Sequence, residues 1–277
     1  MNDRKLYPAP CSRPTISLTP FFGGRNIELS PFQACANNAL PFWMCLMNKC
    51  FNFLVLLLFP ITWSAAVAQD NRKVELKKGD RIVFFGDSLT YLAGKEEPKK
   101  QVTKGYVRIV QETLDRSHPD LGVKIDWVAT GGHTVPDLLK RLDKDVLPRK
   151  PTIVVIQIGC NDARRLAKDT FKSSLEELID RLQNEKIQVI QCTLTSVGEK
   201  HDGTNKDDPK LEEFAEIQRQ VIKAKNVPFN DLRKAFVAYW KANNLDNKAS
   251  GILTYDGNHF NDAGMRFVAE RMLERFK

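Results

Sequence analysis

The sequence is short of histidine and cysteine, four and six among 277 residues, and that scarcity narrows its chemistry. Four of the cysteines, Cys11, Cys35, Cys45 and Cys50, fall within residues 1–50. Cys160 and Cys192 remain, too few for a disulfide framework and without metal-ligand spacing. Each follows a predicted strand, so the two could bridge in an oxidising compartment, but buried free thiols are the expected state. No phosphate-binding GxxxxGKS/T run is present. Nor is there an arginine-rich helix or a basic stripe interleaved with aromatics, which removes the usual signs of nucleic-acid binding. Cofactor fingerprints are absent as well, so neither a cofactor nor a metal is expected. No internal repeat or Gly/Ser linker interrupts residues 80–277, and one domain is expected there.

A long uninterrupted apolar run is missing too. The nearest approach is "MNKCFNFLVLLLFPITWSAAVAQ", which has a basic start at Lys49, an apolar stretch from Phe51 to Thr62, and small residues at Ala66 and Ala68. That is the layout of a signal peptide, with cleavage expected between Ala68 and Gln69. The apolar stretch is short, and broken by Asn52 and Pro60, for a bilayer span. It begins at Met47, which reads as the initiator, with residues 1–46 as an over-extended, disordered start; the alternative is an uncleaved anchor behind a disordered leader. On the first reading residues 47–68 are the signal peptide, residues 69–277 the working domain, and the location secreted or periplasmic. Roughly 210 residues suit one domain. The formal net charge of +8 then becomes milder, with Lys often beside Glu or Asp.

From Asp80 onward short apolar runs alternate with longer amphipathic stretches. Strands are predicted at Arg81–Phe85, Val123–Ala129, Thr152–Ile158, Gln188–Thr193 and, weakly, Val227–Phe229. Three of these are continuous apolar runs, as in strands covered on both faces. Helices are predicted at Tyr106–Arg116, Pro136–Leu147, Phe171–Asn184, Pro209–Lys225, Leu232–Ala242 and Asn261–Phe276, with Thr134 as a cap and Pro136 in the first turn of the second. The alternation implies a three-layer α/β/α fold around a doubly wound, mostly parallel five-stranded sheet.

In such a sheet chemistry gathers beyond the carboxyl ends of the strands. There the sequence places Gly86-Asp87-Ser88 after the first strand, "TGGH" (Thr130–His133) after the second, Gly159-Cys160-Asn161-Asp162 after the third, and "YDGNHFND" with Asp256 and His259 before the last helix. A hydroxyl, glycine loops, a carboxamide and an Asp/His pair at one edge are what acyl transfer requires.

These blocks, "FGDSLT", "GG" before His133, "GCND" and "DGNH", resemble in content and order the four blocks of the SGNH (GDSL-type) hydrolases, and the resemblance covers about residues 80–277. It implies a flavodoxin-like sheet and a serine esterase with Ser88 as nucleophile, His259 as base and Asp256 orienting the ring. It also implies an oxyanion hole made of the Ser88 N–H, the Gly132 N–H and the Asn161 side chain. Cys160 departs from the residue many relatives carry there, a change expected to affect packing and not activity. Asp256 and His259, three apart, would share a side if the segment made a helical turn.

Each role has a plainer competitor. Ser88 could merely cap a helix after the first strand, Asn161 could be a turn residue, and Gly132 a tight turn. Asp87 reads as organising its turn rather than as catalytic. His118 and His201 read as solvated; His133 reads either as a substrate contact or as having no role. The run Lys95–Lys104 reads as a solvated loop that could rim the site. Two other classes were weighed, a non-catalytic flavodoxin-like binder and an inactive carbohydrate-binding relative. The first lacks a phosphate-cradling loop and leaves the Asp256/His259 pair idle; the second should have lost one of the four blocks' residues. The expected substrate is a short acyl ester, acetyl on a carbohydrate, with longer-chain lysophospholipase or thioesterase activity as the alternative. The oligomeric state is not legible.

Overall fold

The computed structural model describes residues 72–95 and 102–277. The readings of residues 1–46 and 47–68, and most of the Lys95–Lys104 run, lie outside them.

The sheet is built from apolar runs that have two faces to cover. In β1 (Arg81–Gly86), Ile82 and Phe84 enter one hydrophobic cluster while Val83 and Phe85 enter the other, as the strand pleat dictates. Five strands, β1, β2 (Lys124–Ala129), β3 (Ile153–Gln157), β4 (Gln188–Cys192) and β5 (Phe229–Asn230), pair in parallel in the order β2-β1-β3-β4-β5. One face is covered by α2 (Tyr106–Ser117), α7 (Leu232–Asn243) and α8 (Asp262–Leu273). The other is covered by α3 (Val135–Arg141), α5 (Lys168–Asn184) and α6 (Asp208–Lys225). Two short helices, α1 (Ser88–Ala93) and α4 (Cys160–Arg165), sit directly behind β1 and β3.

The boundaries that moved did so for identifiable reasons. The helix expected over Pro136–Leu147 is regular only to Arg141, then widens into a π turn over Leu142–Val146 and a 3-10 turn over Leu147–Arg149. Pro148 has no N–H to continue the ladder there. The last helix stops at Leu273 rather than Phe276, because Phe276 forms a parallel bridge with Val74 and the Lys277 N–H donates to the Val74 carbonyl. The fifth strand begins at Phe229, one residue past Pro228, and the Val227 N–H is spent closing α6 on the Ile222 carbonyl. The block "CNDARR", for which no helix was predicted, is α4.

The two described cysteines are free and buried. Cys192 lies in the α2/α7/α8 cluster and Cys160 in the opposite one, so the sheet stands between the two thiols. Burial pushes the Cys160 thiol up to about 11 and Cys192 higher still.

Chain direction reverses across the sheet between β1 and β3: β1 leads outward to β2, and the chain then returns past β1 to β3. The crevice beyond the carboxyl ends of these two strands is the topological switch point, where such folds hold ligands. Ser88 follows β1 and Asn161 follows β3.

Candidate active site

Close approach of β1 to β3 sets the position of Ser88. A methyl group on Gly86 would stand 2.3 Å from the Gln157 carbonyl oxygen, so only glycine lets the strand end there. The chain turns at once into α1, which Asp87 caps by accepting from the Leu89 N–H at 3.0 Å. Asp87 thus holds the capping role, and the Ser88 hydroxyl is left for other work. Thr90, one turn on, bonds the Tyr106 hydroxyl at 2.8 Å and fixes α1 against α2.

Ser88 Oγ lies 3.0 Å from His259 Nε2, and His259 Nδ1 lies 2.7 Å from Asp256 Oδ2. No helical turn brings Asp256 and His259 together. The segment is a closed bend between the bridged residues Thr254 and Phe260. Within it Asp256 Oδ1 accepts the His259 and Asn258 N–H groups at 2.7 and 2.9 Å. Burial opposes the charged form of Asp256, but the bonds from the His259 ring and these two N–H groups outweigh it, holding the carboxyl below its ordinary value. The Tyr255 ring stacks over the imidazole, 5.8 Å between centroids.

Close to Ser88, where a methyl on Gly131 would stand 3.7 Å from its Cβ, Gly131 and Gly132 form a turn; Gly132 has φ +80°, which disfavours any residue with a side chain. Two residues of α4 grip this turn. The Arg165 guanidinium donates to the Gly132 carbonyl at 2.6 Å, and Asp162 Oδ1 accepts the Val135 N–H at 2.7 Å. Asn161, also on α4, directs its Nδ2 at Asp87 Oδ2 and at the His133 carbonyl, both at 3.1 Å. Among the described residues no acceptor takes up the N–H of Ser88 or of Gly132. The hydroxyl, imidazole and carboxylate therefore form one hydrogen-bonded line.

His133 stands beside Arg141, with 3.5 Å between Nδ1 and the guanidinium. Partial burial, then the charges of Arg141, Arg165 and Lys140, keep its ring below its ordinary value. The other two histidines are not merely solvated. His201 is half-buried and its Nε2 bonds the Asn244 carbonyl at 2.8 Å, while half-buried His118 bonds the Ser117 hydroxyl. Among the described residues no cluster of three His, Cys, Asp or Glu could hold a metal ion. None of their helices is long and apolar enough to cross a membrane.

Glu199 is the residue that sequence reasoning passed over. It is wholly buried, and its carboxylate accepts from the Ile252, Leu253 and Thr254 N–H groups and from the Thr254 hydroxyl, all within 2.9 Å. The Gly198 N–H adds a bond to the Gly257 carbonyl. The loop after β4 thereby carries the Asp256–His259 bend.

Asp87 and Asp162 are carboxyls held against their ordinary ionisation. Burial, with the neighbouring Asp162 charge adding to it, pushes Asp87 up to about 7; burial pushes Asp162 up to about 6. A carboxyl raised on folding binds its proton more tightly in the folded state. Its stabilising contribution is full below the unfolded value near 3.8 and is lost as pH rises through the folded value. Asp87→Asn removes the Asp87 part of that slope. The difference in Tm, variant minus wild type, should accordingly grow in the variant's favour between about pH 4 and pH 7. Thermal unfolding across that range checks it; a constant difference would place Asp87 in an ordinary ionisation state.

Comparison with known proteins adds to this geometry. The profile of the GDSL-like lipase/acylhydrolase family matches residues 84–267. An acetylxylan esterase of Geobacillus stearothermophilus is 25% identical over 177 residues, 59% of this chain and 80% of that protein. The uncharacterized lipoprotein YqeF of Bacillus subtilis (strain 168) is 29% identical over 220 residues, 68% of this chain and 86% of its own length. Among solved structures, the acetyl xylan esterase AlAXEase superposes with a TM-score of 0.65 at 35% identity, covering 69% of this chain and 97% of that one.

Proposed function

This chain belongs to the GDSL-like lipase/acylhydrolase family, and from that premise we propose that it removes acetyl groups from carbohydrate through Ser88, His259 and Asp256. It is a carboxylic ester hydrolase with the doubly wound fold of that family. The observation that carries the finer reading is the unbroken line from Ser88 Oγ through the His259 ring to Asp256 Oδ2, at 3.0 and 2.7 Å.

In this reading His259 Nε2 accepts the Ser88 proton as Oγ attacks the ester carbonyl, and the Asp256 carboxylate holds Nδ1–H so that Nε2 faces the hydroxyl. The negative charge gathering on the carbonyl oxygen is met by the N–H groups of Ser88 and Gly132 and by Asn161 Nδ2. The imidazolium returns its proton to the departing sugar oxygen. Water, deprotonated by the same ring, then releases acetate from the acyl-serine. The two acetylxylan esterases named above support the choice of acyl group and alcohol. A site outside the cytoplasm, secreted or periplasmic, is part of the proposal; the signal-like stretch 47–68 and the likeness to a lipoprotein support it.

Hydrolysis of p-nitrophenyl esters of rising chain length, followed by acetate release from acetylated xylo-oligosaccharides, tests the substrate. The expected kcat/KM is highest for acetate, falls with each lengthening of the chain, and is accompanied by acetate release from the sugar. A preference for long acyl chains with no release from sugar would shift the reading to a lysophospholipase or thioesterase.

A further inference from the structure

We propose that Asp87 is a positioning residue for the oxyanion hole, its carboxylate fixing which way the Asn161 amide faces. The inference rests on the reading of Asn161 as an oxyanion donor. A carboxamide can be turned over about its last bond at little cost unless its neighbours tell its two ends apart. Here the end directed at Asp87 Oδ2 and the His133 carbonyl, 3.1 Å from each, must be the NH2 group. With the amide reversed, its oxygen would confront the ionised Asp87 carboxylate and a carbonyl at once.

Asp87 is well placed to enforce this. It is buried, and its other oxygen is tied to the Leu89 N–H at 3.0 Å, so the carboxylate has no freedom to follow a reversed amide. The same group therefore caps the helix that begins with Ser88 and sets the amide opposite, coupling two of the three donors. The two bonds made by Asn161 are also unequal. Above about pH 7, where Asp87 is ionised, its bond to Asn161 is charge-assisted, whereas the bond to the His133 carbonyl joins neutral groups and is weaker. An oxyanion formed beside Gly132 is thus able to compete for the N–H that points toward His133, while Asp87 keeps the other.

Asp87→Asn is nearly isosteric but offers one acceptor and one donor where the carboxylate offers two acceptors. It can satisfy Leu89 or Asn161, not both. The test compares wild type, Asp87→Asn, Asn161→Ala and the double variant at about pH 8, above the folded value of Asp87, each checked for folding by its Tm. Asn161→Ala should lower kcat by about 10²–10³-fold, the usual size of one oxyanion donor. Asp87→Asn should lower kcat by about 10–10²-fold with KM changed less than about twofold, because the loss falls on the transition state. In the Asn161→Ala background the same change should cost less than about twofold, since the amide it positions is gone. Asp87→Ser, which still caps Leu89 but is too short to reach Asn161, should behave likewise if Asp87→Asn folds poorly. Full kcat in a folded Asp87 variant, or losses that multiply in the double variant, would overturn the inference while leaving the oxyanion hole standing. A silent Asn161→Ala would instead bring down the hole itself, and this inference with it.

Discussion

Ser88→Ala and His259→Ala should each lower kcat/KM toward acetyl esters by about 10⁴-fold or more, and the double variant should be no worse than either. The reason is mechanical. The hydroxyl is a nucleophile only while Nε2, at 3.0 Å, can take its proton, and the ring has nothing to deprotonate once the hydroxyl is gone. Two groups that act as one unit lose their whole effect on the first removal. What activity remains would come from the N–H donors and from substrate positioning. Asp256→Ala should be milder in the chemical step, because a less well-aligned imidazole still accepts a proton. It also frees the Asn258 and His259 N–H groups, so some loss of order in the bend accompanies it. A serine-directed organophosphonate should label one residue, found by peptide mass spectrometry to be Ser88. Esterase activity surviving in Ser88→Ala, or label on another residue, would remove Ser88 from the chemistry.

Glu199→Ala should cost about 4 kcal/mol or more of folding stability, measured by urea unfolding. One carboxylate takes up three consecutive backbone N–H groups and a hydroxyl, and each buried donor left without a partner costs about 1–3 kcal/mol. Glu199→Gln should lose less. Its remaining oxygen can still accept from Leu253 and Thr254, while its new amide hydrogens face the Ile252 N–H. In both variants the Asp256–His259 bend loses its footing, so kcat should fall alongside stability and recover partly from Ala to Gln. Unfolding of Glu199→Ala within about 1 kcal/mol of wild type would mean that water replaces the carboxylate without cost.

The strands were legible because sheet residues covered on both faces have to be apolar throughout, as "RIVFFG" and "IVVIQ" are. The positions of Ser88, Gly132, Asn161, Asp256 and His259 were legible for a different reason: each lies at the end of a predicted strand or just before a predicted helix, and a parallel sheet sends all such ends to one edge. What holds them there was not. Glu199 sits in "VGEKHDG", where charge and glycine indicate a solvated loop. Its carboxylate finds its partners 53–55 residues further on, which no local pattern announces. The grips of Asp162 and Arg165 were hidden in the same way, because their partners Val135 and Gly132 lie 27 and 33 positions earlier and the short helix α4 that carries them was not predicted. The Asp256–His259 pairing was implied by the family resemblance, with a helical turn as the geometry that spacing suggested, yet the backbone that delivers it is a bend closed on the Asp256 carboxylate. Position along the fold could be read; the second layer of bonds could not, because its partners are distant in sequence.

Ser88 and His259 are 171 positions apart in the chain. A growing polypeptide emerges in order, at about 5–20 residues per second, so the hydroxyl precedes its base by on the order of ten seconds or more. On the proposed mechanism the nascent chain has no means of activating Ser88 throughout that interval. Phe276 and Lys277 also close onto Val74, joining the two ends of the described domain. On the proposed mechanism, hydrolytic competence is therefore acquired only once the segment carrying His259 has emerged and folded, and ester turnover during refolding reports assembly of residues that lie 171 positions apart.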